Sequence, residues 1–154
     1  MLVHYKDIPN DSRIWIYASD HILSNEHENV IKKKIEQHII NWKSHKSPLT
    51  AAVTILENHF IIILLDDSKN SASGCSIDSL QRIILELELH LEISLTNRLN
   101  IFCRIDDMIH CYHSSRLHEN ANSETLFYDL TIQRKSELEY YLKPISNGWC
   151  AHLV

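Results

Sequence analysis

Residues 49–65 read LTAAVTILENHFIIILL. Two β-rich apolar runs, Leu49–Leu56 and Phe60–Leu65, are separated only by Glu57-Asn58-His59. A parallel crossover needs about a dozen residues or more, so these runs must pair as an antiparallel hairpin. On the N-terminal side, Ile31, Ile35, Ile39 and Trp42 form one helical stripe. Asn25 and Glu28 fit a capping box for this helix, and Ser47-Pro48 requires it to have ended. Further back, Arg13–Ala18 (RIWIYA) alternates and reads as a strand. On the C-terminal side a second helix begins near Ser76, with Leu80, Ile84, Leu87 and Leu91 as its buried stripe. Leu99–Ile105 and Met108–His113 flank Asp106-Asp107 as a second hairpin.

The resulting order, β-α-β-β-α-β-β, predicts an α+β fold: an antiparallel sheet with two helices on one face, a ferredoxin-like βαββαβ core plus an extra strand. The tail reads as mixed. Thr125–Ile132 suits a strand, and Ser136 with Glu139 would cap a short helix ending at Pro144. The chain is expected to form a single domain over 1–154, with a core at about 12–113 and a tail at 114–154 packing on it.

An antiparallel sheet with helices on one side should show one polar face. Here Phe60–Leu65 is apolar on both faces, and RIWIYA places Ile14 and Ile16 on one face and Trp15 and Tyr17 on the other. The greasy, aromatic second face needs a cover, because large bare apolar patches are rare on monomers. The tail, with Phe127, Tyr140, Tyr141, Leu142 and Trp149, would supply it. So would a second subunit, in a homodimer through the face with Trp15 and Tyr17.

The 154 residues carry a net charge of −5, 44% apolar and 23% charged residues, 2 Gly and 3 Pro. This is ordinary globular composition and excludes low-complexity disorder. The acidic balance argues against a nucleic-acid partner, although RNA-binding domains share the βαββαβ order. Lys32-Lys33-Lys34, flanked by Glu28 and Glu36, reads as a solvated helix face with i,i+4 pairing. The longest apolar run, Phe60–Leu65, is far short of the roughly 20 residues that span a bilayer. No signal-peptide pattern opens the chain and the four cysteines form no CxxC pair, so a cytoplasmic protein with reduced thiols is expected.

Ser73-Gly74-Cys75-Ser76-Ile77-Asp78-Ser79 is the segment with most chemical content. A cysteine at a loop-to-helix junction meets free backbone N–H groups that attract anions and favour a thiolate. Gly74 would permit close backbone approach or positive φ, and Ser76 would cap the helix. Asp78, one turn on, opposes a thiolate. Cys75 is thus the candidate nucleophile, with His4, His59, His110 and His113 as candidate bases. Gly74, Ser76 and Arg98 are candidate anion-binding residues. The plainer alternative is a small structural cysteine beside a turn glycine and a cap.

This segment, the early RIWIY strand, Trp42 before the next strand, Asn97-Arg98 before another and a late Trp149 together resemble an uncharacterised family of small proteins from Bacteroidetes. Its members are often labelled as ABC transporter ATPases. The resemblance covers most of the chain and implies no known activity. An ABC-type nucleotide site is excluded here, because GxxxxGK[ST] is absent.

Among 11 histidines, the densest cluster is His110-Cys111-Tyr112-His113 with Cys103. On a strand His110 lies opposite Cys111 and His113, so ligands would have to come from separate elements, and no metal or other cofactor is expected. The sequence therefore supports a binding or assembly module without catalysis. The alternative is a thiol-dependent enzyme or anion-binding protein using the Gly74-Cys75-Ser76 turn.

Overall fold

In the computed structural model, which describes all 154 residues, the chain runs β1 (Arg13–Ala18), α1 (Asn25–Ile40), β2 (Lys43–Ser44), β3 (Ser47–Pro48), β4 (Ala51–Leu56) and β5 (Phe60–Leu65). It continues through α2 (Gly74–Leu91), β6 (Asn100–Ile105), β7 (Met108–His113), α3 (Leu117–Asn120), β8 (Leu126–Tyr128) and β9 (Leu142–Pro144), with short 3-10 turns between. The fold is α+β with antiparallel sheets. It divides into two compact units: residues 1–96 with 133–136, and residues 97–132 with 137–154.

In the first unit the sheet order is β1-β5-β4. β5 is antiparallel to both neighbours, so β1 and β4 run parallel and are joined through α1 as a split βαβ. The expected four-stranded ferredoxin-like sheet is not completed. β6 hydrogen-bonds to β7 on one side and β8 on the other, within a separate sheet ordered β7-β6-β8-β9.

Both helices cover one face of the first sheet, as their stripes require. Ile31, Ile35 and Ile39 of α1 and Leu80, Ile84 and Leu87 of α2 pack with Tyr17, Val53, Ile61, Ile63 and Leu65. Trp15 and Tyr17 pair across from Ile63 and Ile61, which puts them on this helix face. The sequence pattern sets them on the face away from the helices; the structure places them on the face that α1 and α2 cover. The opposite face, with Ile14, Ile16, Phe60, Ile62 and Leu64, is buried as well.

Three tight hairpins carry non-glycine residues with left-handed backbone: His45 and Lys46, Glu57 and Asn58, Asp106 and Asp107. In the two-residue loops β2–β3 and β6–β7, positive φ at both central positions is the type I′ turn, whose twist matches the strands. Lys34 pairs with Glu86 of α2 at 2.9 Å rather than with an acid on its own helix.

The second unit has a smaller core, formed by Ile101, Cys103, Leu117, Phe127, Ile145 and Cys150. β8 is shorter than the expected 125–132 strand, and Ser136 and Glu139 fall in a 3-10 segment, Lys135–Tyr140, rather than capping an α-helix. His110 sits opposite Cys103 and stacks on Tyr112. No three His, Cys, Asp or Glu side chains converge on one point that could hold a metal ion. No helix is long and apolar enough to cross a membrane.

Asp129 is the principal buried charge of this unit. Lys143 Nζ lies 2.9 Å from its Oδ2, and the Thr131 amide donates to Oδ1 at 2.9 Å. Burial works against its charge, but the bonds from Thr131 and Lys143 outweigh it and hold the carboxyl below its ordinary value. A lowered folded value means that the unfolded chain takes up the proton first. The pair therefore stabilises the fold above the unfolded carboxylate value of about 3.9, and that contribution disappears as pH falls through the lower folded value. Lys143→Met should cost about 2 kcal/mol at pH 7, because it strands a mostly buried carboxylate. It should also flatten the acid limb of stability against pH. Urea unfolding at intervals between pH 2 and 7 reads both effects, and parallel curves for the two proteins would remove the assigned role.

Candidate functional site

α1 ends at Ile40, and Trp42 folds back beneath it with its side chain buried. The indole Nε1–H donates to the Ser76 carbonyl in the first turn of α2 at 2.9 Å. Trp42 also meets the Trp15 ring edge-on at 6.0 Å and the His38 ring at 5.8 Å. The β2–β3 hairpin leaves directly from Trp42, so its turn residues stand beside the end of α1 and the start of α2. These three pieces enclose a cleft of about 510 Å³, lined by His38, Asn41, Trp42, Lys43, His45, Ser73, Cys75, Ser76 and Ser79.

α2 begins earlier than the sequence reading placed it. Ser73 is the N-cap: its Oγ accepts from the Ser76 amide at 3.1 Å, and Ser76 Oγ accepts from the Ser73 amide at 2.7 Å. Ser76 Oγ also donates to the Ser73 carbonyl at 2.8 Å. The box is reciprocal, so the buried Ser76 hydroxyl serves the helix end and not a ligand. Gly74 and Cys75 are the first two helical residues, and no group of the chain accepts from their amides. They are two of the orphan donors every helix start presents. The expected need for glycine at 74 is not met: its φ is not positive, and a Cβ there would touch nothing within 4 Å.

Cys75 is exposed, whereas Cys103 and Cys150 are buried. Burial, with Cys150 and Cys111 nearby, pushes the Cys103 thiol up to about 12. Burial likewise raises Cys150. The cleft thus holds the exposed thiol of the chain together with two imidazoles, an ammonium and several hydroxyls, and no carboxylate lines it. Lys43 forms no ion pair with the chain. Burial lowers the His38 imidazole below its ordinary value, with Glu86 pulling partly back, so near neutral pH this ring is an uncharged donor and acceptor. Ser79 gives its one hydroxyl proton to the Ser76 carbonyl at 2.8 Å. Its long 3.4 Å contact with His38 Nε2 therefore has the imidazole donating and leaves Nδ1 as the acceptor.

The residues proposed from sequence separate here. Cys75 and Ser76 line the cleft; Gly74 contributes only its backbone at the same helix end. Arg98 belongs to the second unit, just before β6, and is not among the lining residues. None of the four candidate bases lines the cleft. His4 and His113 cap short 3-10 turns, the His59 ring contacts the Glu57 carbonyl, and His110 stacks on Tyr112. The two histidines that do line it, His38 and His45, went unread. Their signals were the position of His38 one turn before Trp42 on the flank of a buried stripe, and that of His45 in a tight turn between the first helix and the hairpin. Compared with known proteins, the chain matches no family model, no curated protein and no solved structure.

Proposed function

We propose that the protein is a small binding module whose cleft, at the N-terminus of α2, holds the anionic end of a small molecule. The observation that carries this reading is the lining itself: the unpartnered Cys75 amide at the positive end of an 18-residue helix, the unpaired Lys43 ammonium and no carboxylate, in a chain of net charge −5. Trp42 offers an apolar wall for the remainder of the ligand, and His38 Nδ1 an uncharged acceptor. The acidic surface outside the cleft disfavours a polyanion and suits a compact ligand. Kinship with the Bacteroidetes family remains part of this proposal, and residues 73–79, which suggest it, form the cap and first turn of α2.

Thiol chemistry is the second reading, favoured by the exposure of Cys75 in a cleft with two imidazoles. One experiment addresses both. Carboxamidomethylation of Cys75 in the native protein is followed by mass spectrometry with and without inorganic phosphate, at matched ionic strength. Binding predicts that phosphate slows labelling of Cys75 saturably, and that Lys43→Gln weakens this protection about tenfold, the worth of one charge-assisted contact. Cys103 and Cys150 should stay unlabelled throughout. Labelling of Cys75 that is indifferent to phosphate removes the anion-binding reading, and labelling no faster than a free thiol peptide removes the thiol-chemistry reading.

A further inference from the structure

We infer that a second cleft, lined in part by Ser71 and Ala72, takes an oxyanion on the Arg13 guanidinium. This cleft of about 340 Å³ is lined by Arg13, Asp67, Ser71, Ala72, Gln133 and Arg134. None of these residues lines the cleft at Cys75, so the inference does not rest on the function proposed above.

Arg13 opens β1 and faces Arg134 across an isolated antiparallel bridge. The bridge is fixed on both sides: the Ile14 amide donates to the Gln133 carbonyl at 2.9 Å, and the Lys135 amide to the Ser12 carbonyl at 2.9 Å. Two arginines thereby stand directly opposite one another, an arrangement that costs free energy unless anions compensate it. Asp67 supplies one anion. Its Oδ2 lies 2.9 Å from Arg134 Nη1, which also donates to the Asp11 carbonyl at 3.1 Å.

Arg13 has no such partner. Its guanidinium lies over the Trp15 indole, 4.4 Å from the ring centroid, and makes no ion pair or hydrogen bond through its side chain. Stacking engages the face of the guanidinium and leaves its N–H edge free. Trp15 is itself braced edge-on against Trp42, so the platform under the Arg13 guanidinium is preset. A rigid, unpaired fork in a cleft with net positive lining matches the two oxygens of a carboxylate or phosphate group. Ser71 lines the same cleft.

The test titrates inorganic phosphate and acetate separately into the full chain carrying Lys43→Gln, which weakens anion binding at the other cleft. The Trp15 indole N–H resonance reports occupancy of the Arg13 fork. Saturable shifts are expected with at least one anion, and the stronger binder identifies the oxyanion preferred. Arg13→Gln should weaken that binding about tenfold, and Arg13→Lys, which keeps the charge but loses the fork, by an intermediate factor. An unchanged affinity in Arg13→Gln, or no saturable Trp15 shift with either anion, overturns the inference.

Discussion

Trp42→Ala is expected to cost about 4 kcal/mol, in the range for deleting a buried aromatic side chain. Few residues in the first unit join as many elements. The buried ring of Trp42 connects the end of α1 to the first turn of α2 through its bond to the Ser76 carbonyl, and reaches β1 through Trp15. Trp42→Phe retains most of the buried surface and loses the indole donor. The Ser76 carbonyl still accepts from Ser79 Oγ, so this variant should lose only about 1 kcal/mol. The pair of variants separates packing from hydrogen bonding, and urea unfolding at pH 7 measures both. A loss under about 1 kcal/mol for the alanine variant would show that the ring is not a structural junction.

Local signals in this chain proved reliable where they were strong. The short connection at Glu57–His59 and the apolar runs beside it required a hairpin, and β4 and β5 form it with Leu56 opposite Phe60. Asp106-Asp107 marked the β6–β7 turn with the expected strand limits on its C-terminal side. The isoleucine stripe of α1 is buried at 31, 35 and 39 as periodicity required. What sequence did not disclose was choice among partners. β6 could complete the first sheet or build a second, and nothing within Asn100–Ile105 distinguishes the two outcomes. Strand pairing of that kind is decided by long-range packing.

Capping errors had a different cause. The sequence offers Asn25 and Ser76 as caps, but Ser24, one residue earlier, and Ser73, three residues earlier, take those places, each accepting from the amide three residues ahead. A shift of three residues at α2 matters chemically, since it moves Cys75 from the loop into the first helical turn. The cleft was half legible for the same reason. Its cysteine lies in a recognisable segment, while His38, Trp42, Lys43 and His45 come from a stretch some thirty residues earlier and are brought to it only by packing of α1 against α2.

Gly148→Ala is expected to cost about 3 kcal/mol, at the upper end for overpacking a core. The backbone does not require glycine here: with φ −117° and ψ 173° the residue is extended and any side chain could adopt it. The constraint is space, because a Cβ at 148 would fall far inside contact distance of Phe127 Cζ and Cε1. The Phe127 ring cannot retreat. It is fully buried among Ile101, Cys103, Leu117, Ile145 and Cys150, and its strand is held on both edges, by Cys103 of β6 and Lys143 of β9. Phe127→Leu alone should also destabilise, by leaving a void. In the double variant the smaller side chain vacates the space that the new methyl enters, so the two losses should fall short of their sum by about 1–2 kcal/mol. Additive losses would mean that the methyl finds room elsewhere and that the ring does not set the constraint. The other glycine is the natural control. Gly74 opens α2 with nothing near its missing Cβ, so Gly74→Ala should be neutral or stabilise by about 0.5 kcal/mol through the unfolded chain.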